Sequence, residues 1–138
     1  MLDWNNLANW SVLLVEDEID NQEVMAETLE FYGISSKTAS NGVEALAMLA
    51  DYTPTLIITD LAMPLMDGWT FRANVRANLK WISIPIIALS AHAMVGDKDR
   101  ALEAGFDGYQ TKPINSKTLI KDLRAALEET SSNVSSNA

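Results

Sequence analysis

Short apolar runs alternate along the chain with segments of helical periodicity. Strands are predicted at residues 11–15, 34–38, 55–59, 84–89 and 108–111, and the longest runs are continuously apolar, as in strands buried on both faces. Helices are predicted at residues 18–32, after a cap at Asn41, and at residues 69–79, 96–104 and 116–128. This alternation predicts an α/β fold with a doubly wound five-stranded parallel sheet and helices on both faces.

The length of 138 residues fits one domain. We expect an N-terminal extension at residues 1–10, a folded domain at residues 11–129, and a disordered tail rich in Ser and Asn at residues 130–138. Trp4 and Trp10 in the extension are expected to pack on the domain, because two exposed indoles are costly.

The charge is uneven. The net charge is −9, and eight of the 19 acidic residues precede Lys37, the first basic residue. The acidic part is either a solvated helix face with a metal site or a docking patch for a basic partner. Direct binding to nucleic acid is not expected, because phosphate contacts need clustered Lys and Arg. Without cysteine, a secretory signal or a stretch that could span a membrane, the sequence predicts a cytoplasmic protein.

Three carboxylates follow two of the predicted strands. Asp60 ends the apolar run at residues 55–59, and Glu16 and Asp17 end the run at residues 12–15. The carboxyl ends of parallel strands meet at one edge of a sheet, which is where α/β proteins bind ligands. Clustered carboxylates repel one another, and hard oxygen ligands favour Mg²⁺, or alternatively Mn²⁺. The pattern is therefore typical of a magnesium site that supports phosphoryl transfer.

Two further polar residues follow strands. Lys112 comes after the predicted fifth strand, and Ser90 comes after the fourth. Each alone would be read as a surface or turn residue. Together with the carboxylates, an ammonium and a hydroxyl would neutralise the oxygens of a phosphoryl group. A carboxylate nucleophile that forms an acyl phosphate is established chemistry.

Four ordered motifs give a specific family resemblance. They are VLLVEDE at residues 12–18, ITDLAMPLMDG at 58–68, ALSA at 88–91 and YQTKP at 109–113. Over nearly the whole chain, this pattern resembles the receiver domain of two-component response regulators. The resemblance implies a flavodoxin-like three-layer sandwich with strand order 2-1-3-4-5. In this order the site would lie where the strand order reverses, between strands one and three, as is general for open α/β sheets of this kind.

The resemblance also implies residue roles. Asp60 would be the phosphoacceptor, which makes the protein a signalling switch that catalyses its own phosphorylation and dephosphorylation rather than an enzyme. The implied Mg²⁺ ligands are Asp17, Asp60, Glu16 through water, and the backbone carbonyl of Ala62. Lys112 and Ser90 would bind phosphoryl oxygens, and Tyr109 would be the aromatic switch. Proline also permits the cis bond between Lys112 and Pro113 that is usual in the family.

Some positions that vary in the family inform rates. Ala62 and His92 flank the approach of the attacking water, so they are expected to tune the lifetime of the phosphoryl group. The implied partners are a sensor histidine kinase or histidine phosphotransfer protein and a downstream protein target, and a phosphorylation-dependent dimer is a further option. Neither nucleic acid nor a membrane is an expected partner.

Several alternatives stay open. The chain would be a single-domain response regulator, a receiver domain cut from a hybrid kinase, or a pseudo-receiver that binds partners without phosphorylation. An aspartyl-phosphate phosphatase is disfavoured because Ala62 stands where those enzymes carry a second Asp. A flavin-binding protein of the same fold is disfavoured because the acidic residues 16–18 replace the expected phosphate-binding loop.

Overall fold

Five parallel strands form one sheet in the order β2-β1-β3-β4-β5. The computed structural model describes residues 6–91, 96–112 and 114–136, and the side chains through residue 128. The strands are β1 (Ser11–Val15), β2 (Ser35–Ala39), β3 (Leu56–Asp60), β4 (Ile86–Ser90) and β5 (Gly108–Thr111). The helices are α1 (Ile19–Phe31), α2 (Gly42–Leu49), α3 (Gly68–Arg76), α4 (Asp97–Glu103) and α5 (Leu119–Ser136). The predicted fold class and strand order are confirmed.

Two apolar layers enclose the sheet because successive strand side chains point to opposite faces. One layer combines residues such as Val12 and Leu14 of β1 with Met25 and Leu29 of α1, together with the inner face of α5. The other layer joins alternate strand residues to α2, α3 and α4. The result is the expected three-layer sandwich, with helices on both faces.

The N-terminal extension contributes to the first layer. A 3-10 turn at Leu7–Asn9 leads into β1. The indole of Trp10 is buried, and Leu7 packs against the same cluster. This burial confirms the expected packing of Trp10, whereas Trp4 lies outside the described residues.

The predicted second strand began one residue too early. Gly33, at φ +78°, follows α1, and the N–H of Ile34 donates to the carbonyl of Leu29 at 2.9 Å. The N–H of Gly33 donates to the carbonyl of Glu30 at 2.9 Å, which completes a Schellman motif. Ile34 therefore belongs to the helix end, and β2 starts at Ser35.

The predicted bounds of two helices were also wrong, and α5 begins at Leu119 rather than at residue 116. α3 ends at Arg76 rather than at residue 79, because the side chain of Asn78 accepts a hydrogen bond from the N–H of Lys80 at 2.9 Å and forms a turn. α5 continues to Ser136, into the segment where composition predicted a disordered tail. No Gly or Pro interrupts residues 119–136, so the backbone has no residue that stops a helix.

Candidate functional site

β2 is added to one side of β1 and β3 to the other, so the strand order reverses between β1 and β3, and this switch point gathers the polar residues. Val15 is in register with Thr59, so Glu16 and Asp60 emerge side by side at the carboxyl edge. Asp60 itself is the last residue of β3, opposite Leu89 of β4. In α/β sheets, ligands bind in the crevice at this point.

Asp60 is recessed at the carboxyl edge of the sheet. Its side chain keeps 6% of its surface exposed. One oxygen, Oδ1, accepts a hydrogen bond from the N–H of Ala62 at 3.2 Å. The other, Oδ2, lies 2.7 Å from Nζ of Lys112. This carboxylate therefore presents only a small part of its surface to a reactant.

The loop after Asp60 is packed closely against the strand end. A Cβ on Gly68 would lie 2.3 Å from the carbonyl oxygen of Asp60, so only glycine fits there without movement of the backbone. Asp67 caps α3 by accepting a hydrogen bond from the N–H of Thr70 at 2.7 Å. Leu65 takes a left-handed conformation, with φ +67°, and its side chain is exposed. This loop fixes the position of Asp60 from its C-terminal side.

Glu16 is fully buried, and its carboxylate receives several donors. Oε1 accepts from the N–H of Glu18 at 3.3 Å, from Nδ2 of Asn21 at 3.1 Å and from Nζ of Lys112 at 3.1 Å. Burial raises the pKa of Glu16, and the charge of Asp60 acts in the same direction. The hydrogen bonds from Lys112 and Asn21 offset part of this effect.

The three predicted metal ligands come together. Glu16, Asp17 and Asp60 offer carboxylate oxygens that lie within 4.8 Å of one another, and Asp17 is the most exposed of the three. When ionised, these carboxylates and the ammonium of Lys112 carry a formal charge of about −2, which a divalent cation would balance.

One oxygen of Glu16 also fits a hydrated cation. Oε2 is buried and lies 2.9 Å from Nζ of Lys112, but it makes no well-directed hydrogen bond with the described residues. A water ligand on a cation could donate to this oxygen. The donor set, made of hard carboxylate oxygens, is the kind that Mg²⁺ prefers.

Lys112 links the fifth strand to the acidic cluster. Its side chain is 12% exposed and contacts both Glu16 and Asp60. Burial alone would lower the pKa of Lys112, but hydrogen bonds and attraction to Asp60 and Glu16 outweigh burial and raise it. The ammonium therefore stays charged at neutral pH.

Ser90 and Tyr109 stand on the strands next to Lys112. Ser90 is a buried residue that ends β4, and its carbonyl accepts a hydrogen bond from the N–H of Lys112 at 2.8 Å. Tyr109 pairs with Ala88 and packs, half-buried, against the second apolar layer. Both predicted residues thus lie on the β4–β5 side of the site. His92 and Pro113 fall outside the described residues.

Sequence reasoning missed two residues that hold Glu16. Asn21 donates to its side chain, and Nε2 of Gln22 donates to its backbone carbonyl at 2.6 Å. Both residues lie in the first turn of α1. Polar amides one turn after an acidic pair were the available signal, but an amide at the start of a helix is ordinarily explained by solvent exposure.

Comparison with known proteins identifies the family. The protein-family model described as the response regulator receiver domain matches residues 12–124 of this chain. This chain belongs to the response regulator receiver domain family. Receiver domains are signalling domains of two-component systems that interact with histidine kinases or phosphotransfer proteins, and they bind Mg²⁺ at an acidic site.

Three similar proteins show the range of the family. An uncharacterised 14.6 kDa protein from the sodA1 3′ region of Leptolyngbya boryana is 38% identical, over 83% of this chain and 88% of its own length. Sensor histidine kinase CheAY of Helicobacter pylori is 32% identical over 90% of this chain, which spans 16% of that kinase. The receiver domain of sensor histidine kinase PA1611 from Pseudomonas aeruginosa, solved with magnesium in its active-site cleft, has a TM-score of 0.77 and 30% identity, with 86% of this chain and 98% of that domain covered.

Among the described residues, none of the helices combines the length and the apolar character that a membrane crossing requires.

Proposed function

We propose that Asp60 is the phosphoacceptor of this receiver domain. A carboxylate oxygen of Asp60 attacks the phosphorus of a phosphohistidine, a new O–P bond forms, and the N–P bond to the donor imidazole breaks. The imidazole leaves with the electron pair of that bond. The observation that carries this proposal is the contact of 2.7 Å between Asp60 and the Lys112 ammonium, beside Glu16 and Asp17. A fixed positive charge there would stabilise the incoming phosphoryl oxygens.

The proposed cofactor is Mg²⁺, and Mn²⁺ is the alternative cation for the same site. Asp17 and Asp60 would bind it directly, Glu16 through water, and Ala62 through its backbone carbonyl. When bound, the cation neutralises charge on the phosphoryl oxygens. Support comes from the charge and spacing of the three carboxylates. The magnesium described for the PA1611 receiver domain supports the same assignment by similarity.

The output would be a change in the balance of two conformations. Phosphorylation adds a charge of about −1.5 to −2 at Asp60. Ser90 and Lys112 would bind the new oxygens, and Tyr109 would turn further inward as the β4 end moves. The backbone hydrogen bond between Lys112 and Ser90 supports this coupling because it joins the two strand ends. The phosphoryl charge would then favour one of two arrangements of the β4 end and Tyr109.

The lifetime of the phosphoryl group would depend on Ala62 and His92. Ala62 is exposed beside Asp60 and offers no side-chain hydrogen bond to an attacking water. Replacing either residue should change the dephosphorylation rate more than the Mg²⁺ affinity. Equal decay rates for wild type and both single variants would contradict this assignment.

The proposed donors are a sensor histidine kinase or a histidine phosphotransfer protein, and the reader is a downstream protein target. A kinase donor implies a cytoplasmic site of action. A phosphorylation-dependent dimer is a testable consequence. A single-domain regulator and a receiver within a longer kinase would use the same chemistry, whereas a pseudo-receiver would not be phosphorylated.

Phosphorylation by a small donor tests the proposal. Wild type, Asp60→Asn and Asp51→Asn are incubated with acetyl phosphate and millimolar Mg²⁺ and separated on a phosphate-affinity gel. Asp51 is an exposed aspartate outside the site, which makes it the matched control. We expect a shifted band for wild type and Asp51→Asn and none for Asp60→Asn. A shifted band in Asp60→Asn would place the phosphoryl group elsewhere, and no shift in any protein would favour the pseudo-receiver.

A further inference from the structure

Two amide side chains of α1 connect the buried Glu16 to its surroundings. Nδ2 of Asn21 donates to Oε1 of Glu16 at 3.1 Å and to Oε2 of Glu18 at 3.2 Å. Nε2 of Gln22 donates to the carbonyl of Glu16 at 2.6 Å and to Oγ of Ser40 at 3.3 Å. Gln22 therefore holds the backbone of Glu16, and Asn21 holds its side chain.

The contacts divide the two oxygens of Glu16 between different partners. Oε1 receives the donors from α1, namely Asn21 and the N–H of Glu18, in addition to Lys112. Oε2 has the ammonium of Lys112 at 2.9 Å and no well-directed hydrogen bond from the described residues. An anchored Oε1 thus leaves Oε2 available to the acidic cluster.

Helix capping does not explain the conformation of Asn21. Asn21 is the third residue of α1, where a capping-box side chain would accept the N–H of the cap residue. Here that N–H, on Glu18, donates to Glu16 instead, and Asn21 acts as a donor to two carboxylates. The amide thus serves the buried carboxylate rather than the helix end.

We propose that Asn21 is a positioning residue for the cation at Glu16, Asp17 and Asp60. By fixing Oε1, its amide holds the Glu16 carboxylate in the orientation that receives a water ligand of the cation. This inference rests on the proposed function because it concerns the same metal site. Residues that hydrogen-bond to metal ligands fix the orientation of those ligands, and their mutation typically weakens metal binding about 10–100-fold.

Calorimetric titration with Mg²⁺ tests the proposal without phosphorylation. The proteins are wild type, Asn21→Ala, Asn21→Gln and Asn74→Ala. Asn74 is the matched control, because its amide donates within α3 to the carbonyl of Thr70 at 2.9 Å. We expect Asn21→Ala to weaken Mg²⁺ binding about ten-fold, and Asn21→Gln, which retains the donor, to recover most of that loss. Asn74→Ala should bind like wild type.

The outcomes separate positioning from a structural role. Asn21→Ala loses one donor to Glu16, but Oε1 keeps the donors from Glu18 and Lys112, and alanine favours helix over asparagine. Its melting temperature without Mg²⁺ should therefore change by at most a few degrees while it loses affinity. If Asn21→Ala does not fold, Asn21→Leu is tested with the same expectation. Mg²⁺ affinity within two-fold of wild type in the folded variant would overturn the inference and leave the proposed function intact. Absence of Mg²⁺ binding in wild type would instead contradict the metal assignment itself.

Discussion

Removing the charge of Glu16 should make the protein more stable without Mg²⁺ and much less sensitive to Mg²⁺. The perturbation is Glu16→Gln, which keeps the shape of the side chain and one acceptor oxygen. Glu16 is 0% exposed, and it shares the site with Asp17 and Asp60. A site that requires a cation should be strained by repulsion when the cation is removed.

The distances give the size of the effect. Each repulsion between Glu16 and another carboxylate, at up to 4.8 Å, is worth at least about 3.5 kcal/mol at an effective dielectric near 20. Attraction to Lys112 at 2.9 Å contributes about 5.7 kcal/mol on the same scale. Two repulsions therefore slightly exceed one attraction, and the burial of the charge adds to the cost. After allowance for one weakened hydrogen bond, we expect a gain of about 1 kcal/mol in the free energy of unfolding.

Thermal unfolding with and without Mg²⁺ is the assay. Without Mg²⁺ at pH 7, Glu16→Gln should melt about 3 to 4 °C above wild type, given the usual entropy of unfolding for a chain of this size. Mg²⁺ at a hundred times its Kd should stabilise wild type by about 2.7 kcal/mol and the variant far less, which reverses the order. Glu23→Gln, on the exposed face of α1, should change neither value.

The pH dependence has a definite sign. Burial raises the folded-state pKa of Glu16 above its unfolded value, so its penalty is present at neutral pH and is relieved as pH falls through the raised pKa. The advantage of Glu16→Gln should therefore shrink in acid. A variant that is less stable than wild type at pH 7 without Mg²⁺, or that keeps the full stabilisation by Mg²⁺, would refute this prediction.

Three other changes have defined outcomes. Gly68→Ala should destabilise the protein by about 2 kcal/mol or more in urea unfolding, because its Cβ meets the backbone of Asp60, whereas Gly42→Ala meets the flexible side chain of Met66 and should cost less. Leu65→Asn should raise stability by about 0.5 to 1 kcal/mol, because Asn tolerates φ +67°; a loss would contradict this. The charged Lys112 stabilises the folded state fully below its unfolded pKa of about 10.4. This stabilisation is lost as pH rises through the raised pKa of the folded state. Lys112→Met should therefore show a smaller fall in melting temperature at alkaline pH than wild type.

The sheet and the acidic site were predictable because each has a strong local signal. Continuous apolar runs gave β1, β3 and β4 within two residues, and carboxylates directly after two of those runs placed Glu16 and Asp60 at one edge. Lys112 was less evident, because its place beside the carboxylates depends on the whole sheet order.

The remaining features depend on contacts that a linear pattern does not encode. Asn21 and Gln22 matter because α1 places their amides against Glu16, and the same residues on another helix would be solvated. The start of β2 followed from the Schellman motif around Gly33, which claims Ile34 for the helix end. α5 extends to Ser136 because no Gly or Pro stops it. The prediction of a disordered tail considered only the high content of Ser and Asn.

Intact-mass and peptide mass spectrometry after incubation with a small phosphodonor tests the central claim most directly. In millimolar Mg²⁺, the protein should gain the mass of one phosphoryl group, fragmentation should locate it on Asp60, and excess EDTA should prevent the gain. An unchanged mass in Mg²⁺, or a phosphoryl group on any residue other than Asp60, would contradict the account.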